Sequence, residues 1–397
     1  MPLNTSGAGE GRPAGGASAG NVVTLYDVAS LAGVSTATVS RVVHGLDRVK
    51  DSTRARVLEV IEQLGYVPDS AAQSLSRRRK DVIGLVCIER TGPKEQYDIE
   101  TMSLLFYDEV LRGVEAQIRH RNWSLLITYL EDHAPRDLSR LLALSGKVEG
   151  LLIGEGIVPS QMLARLAERL PVVVISGSPR ERAADVVTAD NRSGAAALAS
   201  HLISEHGLRR FYYLDGPENA PDAAERRRAF NQAVRSHPDC QLVGSCQGQF
   251  SVASGDAAGQ HLLATGDPLP DAVVCANDQM AIGLLKAFAR ADVRVPDQVA
   301  VVGFDDIFPG SLCDPPLTTI HQPMRLLGER ACTRLLDRIA RPDLRPKVEL
   351  LSTDLVLRSS CGCPPGTMTR QPLQRQRGRR TTPVTLTMHA LTAARIS

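Results

Sequence analysis

Beyond residue 80 the sequence alternates between short apolar runs and segments with helical periodicity, and this alternation constrains the fold more than any other feature. Helical segments near 104–120, 136–145 and 160–169 separate the first runs. Alternation at this spacing predicts an α/β fold with parallel sheets and helices on both faces, and two successive series predict two lobes. The strand-like runs are VIGLVCI, WSLLITYL, VEGLLIG and PVVVISG, followed by FYYLDG, LVGSCQG, AVVCAND and VAVVGFDD.

Residues 21–68 have an all-helical pattern instead. Thr24 can cap a helix that carries Asp27 in its first turn, where a negative charge is favourable, and Gly33 lies where the chain must leave that helix. Ser35 can then cap a second short helix, and a third helix is predicted from about Asp51 to Leu64. This arrangement predicts a helix-turn-helix, with an ordinary helical hairpin as the alternative. The side chains expected to build its core are Val28, Leu31, Ala32, Val39, Val42, Val57, Leu58, Ile61 and Leu64.

A helix-turn-helix presents the first residues of its second helix to base edges in the major groove. Arg41 could form forked hydrogen bonds with guanine, and Thr36 and Ala37 are short enough to contact thymine methyl groups. In the alternative hairpin, Arg41 would be a solvated surface charge. Phosphate contacts are expected from four hydroxyl side chains, those of Thr24, Ser35, Thr38 and Ser40.

Residues 69–80 form a short, Ala-rich segment that ends in four consecutive cations. It has too little apolar surface to fold alone, so we predict a hinge helix that orders on DNA. Leu75 would act as an apolar wedge in the minor groove, with Ala72 as a second DNA contact. A flexible basic linker is the alternative.

The formal net charge of +2 conceals opposed blocks. Residues 21–80 carry +3 and residues 364–397 carry +6, whereas residues 81–363 carry −7, an asymmetry that indicates a polyanion partner at the ends. Residues 1–20 have the composition of a disordered leader, and residues 364–397 that of a basic disordered tail. No run approaches the about 18 apolar residues of a membrane span. We expect a cytoplasmic, nucleoid-associated protein without a membrane partner.

Polar residues that follow the apolar runs are candidates for a ligand site, because ligands bind beyond the carboxyl ends of parallel strands. Ser176, Asn277 and Asp305 occupy such positions, while Arg226 lies near the start of a helix and Phe250 could form an apolar wall. These groups suit a small hydroxyl-rich or amide-bearing ligand. The alternatives are helix caps and surface charges, and for Asp278 a capping role in the helix that follows.

Signals for catalysis or metal binding are weak. No G-x-S-x-G follows a strand as a nucleophile elbow requires, and no G-x-G-x-x-G follows a strand either. H-E-x-x-H and Walker motifs are missing, and the nine His form no recognisable acid/base pair. Cys361 and Cys363 form a C-x-C pair without a second pair at zinc-finger spacing. We therefore predict no enzyme activity, no cofactor and no metal site.

The segments TLYDVASLAGVSTATVSRVV and RVLEVIEQLGYVPDSAAQSL are similar to the head of lactose/galactose-repressor (LacI/GalR) family regulators. The motifs CANDQMAIG, VVGFDDI and PPLTTIHQP extend the resemblance to about residue 363. The family likeness implies that the helix from Ser35 is the recognition helix, that Thr36, Ala37 and Arg41 read bases, and that Leu75 intercalates from the hinge. It also implies effector contacts from Arg226, Phe250, Asn277 and Asp305, with Ser176 and Met324 lining the pocket.

By the same likeness, residues 81–363 form a periplasmic-binding-protein-like body for effector binding and dimerisation. Its lobes would comprise roughly 81–188 plus 324–351, and 189–323 plus 352–363. The chain departs from the family at His44, Lys50 and Asp69, and in an insertion near 91–103 that leaves effector contacts from the first lobe open.

These observations predict a sequence-specific transcriptional regulator, expected to be a repressor. It would bind a pseudo-palindromic DNA operator as a homodimer, under the control of a sugar-like or nucleobase-like effector held between the lobes. The alternative is a solute-binding protein of the same two-lobed fold, which would need export.

Overall fold

The computed structural model describes residues 23–43, 49–67, 79–89, 104–131, 135–154, 156–366 and 369–373. The chain divides into two units, residues 1–80 and 81–397. Several sequence predictions lie outside the described residues, namely the leader 1–20, the hinge contacts Ala72 and Leu75, the insertion near 91–103 and the tail from residue 374.

The described residues of the first unit form three helices, α1 (Leu25–Ala32), α2 (Thr36–Val43) and α3 (Asp51–Leu64). Thr24 and Asp27 form a reciprocal capping box at the start of α1. Gly33 follows α1 with φ 60°, a left-handed conformation that glycine adopts without steric cost, and this residue makes the sharp turn into α2 possible. The three predicted helices of the head are therefore confirmed.

The core of this unit differs from the predicted one at two leucines. Leu31 and Leu58 are 53% and 50% exposed, whereas Ala29 and Val60 are buried. A residue in an α-helix is rotated about 100° from its neighbour, so Leu58 turns outward when Val57 points inward. The expectation that Leu31 and Leu58 complete the core was wrong, because α1 buries Val28, Ala29 and Ala32 and α3 buries Val57 and Val60.

The first sheet of the second unit is parallel and has the strand order β11-β5-β4-β3-β1-β2. Alternate residues face opposite sides, as period-two pleating requires, so Leu152 and Leu151 belong to different apolar clusters. The strands are β1 (Val82–Glu89), β2 (Ser124–Glu131), β3 (Gly150–Gly154), β4 (Val172–Ile175), β5 (Asp185–Ala189) and β11 (Val348–Leu351). The helices around it are α4 (Leu104–Ile118), α5 (Pro135–Ser145), α6 (Ser160–Ala167) and α12 (Met324–Ala340).

The second sheet is also parallel, in the order β7-β6-β8-β9. Its strands are β6 (Arg210–Asp215), β7 (Gln241–Gln247), β8 (Ala272–Cys275) and β9 (Ala300–Val302), and its helices are α7 (Asn191–Ser204), α8 (Pro221–Arg235), α9 (Val252–Ala264), α10 (Asp278–Arg290) and the short α11 (Phe308–Ser311). Every strand-like run of the sequence forms a strand of one of these two sheets. The predicted α/β class with parallel sheets is confirmed.

A small antiparallel sheet combines β10 (Thr319–His321), β12 (Asp354–Leu357) and β13 (Thr369–Pro372) in the order β10-β12-β13. The strand β13 lies within the segment 364–397 that was predicted to be a disordered tail, so that boundary needs correction. Arg370 Nε donates a 2.5 Å hydrogen bond to Asp354 Oδ2, and the backbone of β13 pairs with the open edge of β12. Edge pairing and one cross-strand ion pair thus order a polar segment that has little apolar surface.

The buried carboxylate of Asp185 connects β5 to α12 and to the segment before β11. Asp185, at the start of β5, is 0% exposed and accepts hydrogen bonds from Arg334 Nε at 2.7 Å and from the Lys347 backbone N–H at 2.8 Å. Arg338 of α12 contacts its other oxygen. A buried charge needs such partners, and here they come from α12 and from the segment before β11.

Within the described residues, no helix combines the length and apolar character needed to span a lipid bilayer.

Candidate ligand cleft and DNA-reading helix

Strands of both parallel sheets end at a partly open cleft whose empty volume, including the solvent at its mouth, is about 850 Å³. Gly154 is the last residue of β3 and Ser176 follows β4, while Asn277 follows β8 and Asp305 follows β9. Clefts of this size and position are the usual sites of small ligands in parallel α/β folds.

The structure brings five of the six predicted effector residues into this cleft, namely Ser176, Arg226, Phe250, Asn277 and Asp305. Met324 lines an adjoining cavity instead, which shares Asp305 and Gln322 with the cleft. The reason is that Met324 begins α12 and packs into the apolar cluster of the first sheet.

Arg226 is the best-connected side chain of the cleft and is 2% exposed. Its Nε donates to Asn191 Oδ1 at 2.9 Å, and its Nη1 donates to the Ala276 carbonyl at 2.7 Å. The Nη2 group lies 3.3 Å from Asp222 Oδ2, and the guanidinium stacks on the Phe304 ring with 3.8 Å between its carbon and the ring centroid. The protein itself therefore uses most of the donors of this cation.

Asp305 faces Arg226 with 3.5 Å between its Oδ1 and Nη1. Gln322 Nε2 also donates to Asp305 Oδ1, at 2.9 Å. Burial raises the pKa of Asp305 well above its usual value, and the positive charge of Arg226 opposes this rise. The backbone of Asp305 has a φ of 127°, a region that non-glycine residues rarely adopt and that is typical of functional sites.

Asn277 lines the cleft as predicted and also caps α10, the role that the sequence had offered to Asp278. Asn277 is the N-cap of α10, since its Oδ1 accepts from the Met280 backbone N–H at 3.0 Å, and it lines the cleft at the same time. Asp278 is fully buried and accepts hydrogen bonds from Thr319 Oγ1 at 2.5 Å and from the Ile307 N–H at 3.0 Å. Burial raises the pKa of Asp278 to about 7. Asp278 thus fastens the segment after β9 to α10 and does not cap the helix.

Two buried polar atoms of the cleft have no hydrogen-bond partner among the described residues: Ser176 Oγ and Gln279 Nε2. Such atoms are rare in folded proteins, because leaving one unpaired costs about 1–3 kcal/mol. Ser176 also has a φ of 60°, which non-glycine residues seldom adopt. The pair marks where a polar ligand can supply the missing partners.

Aromatic rings form the apolar part of the cleft. Phe106 and Tyr107 of α4 pack edge to face, with 5.3 Å between ring centroids, and Phe250 lies against Gly216. A Cβ atom at Gly154 would come within 2.7 Å of the Tyr107 hydroxyl, so glycine is needed for this approach. The first lobe does contribute to the cleft, a point that the insertion near 91–103 had left open.

Sequence reasoning missed Phe106, Tyr107, Asp222, Gln279 and Gln322. A signal existed for two of them, since Gln322 belongs to the motif PPLTTIHQP and Asp222 lies one helical turn before Arg226. Phe106 and Tyr107 follow the insertion near 91–103, where the sequence has no motif of the family.

The helix-turn-helix places its predicted base readers on one short helix. Ala37 and Arg41 of α2 are exposed and Thr36 is partly exposed, whereas Val39 and Val42 are buried. Two of the predicted phosphate contacts also cap helices. Ser35 Oγ accepts from the Thr38 N–H at 3.2 Å and lies 2.9 Å from Thr38 Oγ1, and the Thr24 hydroxyl donates to Asp27 at 2.6 Å. Ser40 is partly buried.

Comparisons with known proteins agree with these two sites. The family model described as bacterial regulatory proteins, lacI family, matches residues 24–69, and that of the periplasmic binding protein-like domain matches residues 199–361. The ribose operon repressor of Escherichia coli K12 is 34% identical over 85% of this chain and 100% of its own length. The chain belongs to the lacI family of bacterial regulatory proteins.

Two further likenesses extend this result. The HTH-type transcriptional repressor PurR of Photobacterium profundum is 31% identical over 85% of this chain and 98% of its own. A lac repressor dimer, solved bound to operator and the anti-inducer ONPF, has a TM-score of 0.75 at 27% identity, covering 86% of this chain and 99% of the other. These relatives confirm the prediction of a DNA-binding transcriptional regulator, not an enzyme. The match of the head to a regulatory family also sets aside the solute-binding alternative.

Proposed function

We propose that this lacI-family regulator is a repressor that binds a pseudo-palindromic operator as a homodimer and responds to an uncharged, hydroxyl-rich sugar or sugar derivative in the cleft. The pair of unpartnered polar atoms, Ser176 Oγ and Gln279 Nε2, carries the effector part of this proposal. The relatives named as repressors, and the lac repressor dimer on its operator, support the regulatory part.

The charges of the cleft favour a ligand without a phosphate or carboxylate group. Arg226 is the cation among its lining residues, and Asp222 and Asp305 both face it. Because its donors already bond to Asn191, to the Ala276 carbonyl and to these carboxylates, Arg226 has little capacity left for an anion. An anionic ligand would instead meet two carboxyl groups.

Hydroxyl groups suit the remaining side chains better than a nucleobase does. Amide and hydroxyl groups from Ser176, Asn277 and Gln279 can each donate or accept, and a sugar hydroxyl can do the same in return. Phe106, Tyr107 and Phe250 offer rings for the apolar face of a sugar.

For the operator, the proposal assigns base contacts to Thr36, Ala37 and Arg41. Phosphate contacts are assigned to Thr24, Ser35, Thr38 and Ser40, and hinge contacts to Ala72 and Leu75 within 69–80. One recognition helix reads one half-site, so two-fold symmetry supplies the second. Acting on chromosomal DNA places the protein in the cytoplasm, at the nucleoid.

The effector controls DNA binding by a difference in affinity for two lobe arrangements. Residues 81–188 plus 324–351 would move relative to 189–323 plus 352–363 when the cleft closes around the ligand. A ligand that favours one arrangement by about 1–3 kcal/mol changes operator affinity about 5- to 150-fold. The adjoining cavity lined by Met324 would deform in the same movement, since it shares Asp305 and Gln322 with the cleft.

A ligand panel read in two ways tests this proposal. The full chain is screened against neutral sugars, their phosphates and nucleobases, with thermal stabilisation and operator affinity measured for each compound. We expect stabilisation and a changed operator affinity from at least one neutral sugar, and none from its phosphate. A response confined to nucleobases or sugar phosphates would overturn the assigned ligand class, whereas specific operator binding by residues 81–397 alone would overturn the assigned DNA-reading head.

A further inference from the structure

A cluster of two histidines and two cysteines lies outside the ligand cleft. The ligating atoms of His201, His206, Cys361 and Cys363 all lie within 4.8 Å of one another. Sequence analysis predicted no metal site, because the C-x-C pair has no second pair at zinc-finger spacing. In the structure the second pair is present, but it comes from histidines more than 150 residues earlier.

Local structure explains how the four side chains converge. His201 lies in the last turn of α7, and His206 follows two residues after the end of that helix. Cys361 ends a short 3-10 helix, Ser359–Cys361, and Gly362 turns the chain with a φ of 107° before Cys363. A Cβ at position 362 would lie 3.1 Å from His206 Nδ1, so glycine lets the C-x-C turn pass close to the imidazole.

Four of the six distances between the ligand atoms are close to those around one tetrahedral ion, and the remaining two are no longer than 4.8 Å. His201 Nε2 lies 3.1 Å from His206 Nε2, 3.6 Å from Cys361 Sγ and 3.6 Å from Cys363 Sγ. Cys363 Sγ lies 3.5 Å from His206 Nε2. Zinc–sulfur bonds of about 2.3 Å and zinc–nitrogen bonds of about 2.0 Å, at tetrahedral angles, separate neighbouring ligand atoms by about 3.3–3.8 Å.

The surroundings fit a metal better than a set of separate side chains. The two imidazoles already pack edge to face, with 4.8 Å between the ring centroids of His201 and His206. The Thr318 hydroxyl lies 3.1 Å from Cys361 Sγ, where it can donate to a metal-bound thiolate.

We propose that His201, His206, Cys361 and Cys363 bind one Zn²⁺ ion in a structural site. Two thiols and two neutral imidazoles form the Cys2His2 set that selects zinc in a tetrahedral geometry. On binding, each thiol releases its proton to solvent, so Zn²⁺ and two thiolates give a site without net charge and no oxidant or reductant is consumed.

The ion would fasten the chain after β12 to the end of α7. Cys361 already packs in the apolar core of the second sheet together with Leu355 and Leu357 of β12. The same segment leads into β13, which forms the outer strand of the small sheet. Zinc would therefore stabilise the segment between β12 and β13.

Metal analysis of the full chain, expressed without a histidine tag, tests the proposal. We expect one zinc ion per chain by elemental mass spectrometry, and its loss in the double variant Cys361→Ser/Cys363→Ser. The control is Cys240→Ser/Cys313→Ser, which removes two other partly buried thiols and should retain the metal. His206→Gln should weaken zinc retention against a chelator.

A second measurement does not depend on the folding of any variant. The wild-type chain is freed of metal by chelation under reducing conditions and titrated with Co²⁺. We expect saturation at one equivalent, with thiolate-to-cobalt charge-transfer bands and the intense visible bands of a tetrahedral ion. Zinc at the level of the double cysteine variant, cobalt spectra without thiolate bands, or a Cys361–Cys363 disulfide in freshly purified protein would each overturn the assignment.

Discussion

Arg226 Nη1 lies 3.5 Å from Asp305 Oδ1, and this contact joins α8 to the segment that follows β9. Both residues are buried, at 2% and 8% exposure. Asp305 also accepts from Gln322, so the contact orients two groups that line the cleft. The ion pair holds the cleft-lining side chains in place, and Arg226 has little capacity left to bind an anion.

Replacing Arg226 tests this organising role. Arg226→Ala leaves the buried carboxyl of Asp305 without its cation, and we expect a loss of about 3–5 kcal/mol in stability together with loss of the ligand response. Thermal unfolding and ligand-dependent operator release measure the two effects. Arg228→Ala is the matched control, since that side chain is 56% exposed and pairs with Glu225 on the same helix. A fully responsive Arg226 variant would contradict the assigned site.

Replacing Ser176 tests effector binding separately from the stability of the protein. Its hydroxyl has no partner among the described residues, so Ser176→Ala removes an unpaired buried group and should not lower the unfolding temperature of the ligand-free protein. The same change should weaken effector binding by about 0.5–1.5 kcal/mol, or about 2- to 10-fold. Calorimetric titration with the effector found in the panel measures the change. In the control, Ser178→Ala, a hydroxyl that accepts from the Arg180 N–H is removed nearby. Unchanged affinity in the Ser176 variant would remove this hydroxyl from the ligand contacts.

Arg41 is expected to read one base of each half-site. Arg41→Ala should relax the preference at that position by about 1–3 kcal/mol, with little change elsewhere in the site. Selection from a randomised operator library measures preference position by position. Arg56→Ala removes the same charge from an exposed position of α3 and should keep the selectivity. Identical selected sequences for wild type and the Arg41 variant would exclude it from the reading set.

Asp278 gives the stability of the body a pH dependence. Its pKa is raised from 3.8 in an unfolded chain to about 7 by burial, so folding takes up a proton between these values. The stabilisation from the protonated form is complete below about pH 3.8 and is lost as the pH rises through 7. Asp278→Asn should therefore gain about 2 kcal/mol relative to wild type between pH 5 and pH 8.

Unfolding temperatures across this pH range check the Asp278 prediction. An asparagine can still accept from the Ile307 N–H and donate to Thr319, so the variant keeps the contacts of this site. Asp292→Asn, at an exposed carboxylate after α10, serves as the control. A constant difference between wild type and Asp278→Asn at every pH would contradict the buried proton.

Local sequence patterns predicted the helices and strands whose formation depends mainly on residues close in sequence. Runs of β-branched residues became central strands, and Thr24, Ser35 and Gly33 began or ended helices as expected. The strand β5 was missed because it begins with a charged residue, Asp185, whose partners lie in α12 and before β11. No local pattern could have shown that this charge is buried.

The site was predictable only as separate residues. Positions after strands identified Ser176, Asn277 and Asp305, because topology brings the carboxyl ends of parallel strands together. The distance of Met324 from the cleft was not predictable, since it depends on how α12 packs on the first sheet. The convergence of His201 with Cys361 was hidden for the same reason, as the two lie 160 residues apart.

Asp185 also bears on the order in which the chain folds during synthesis. The first sheet lacks its edge strand β11, and Asp185 lacks Arg334 and Arg338, until the ribosome has made residues up to 351. The second sheet is built from one continuous segment, residues 210–302, which leaves the ribosome earlier. The second lobe can therefore complete its sheet while β5 of the first lobe still has an open edge, and that edge stays exposed to wrong pairing until β11 has been made.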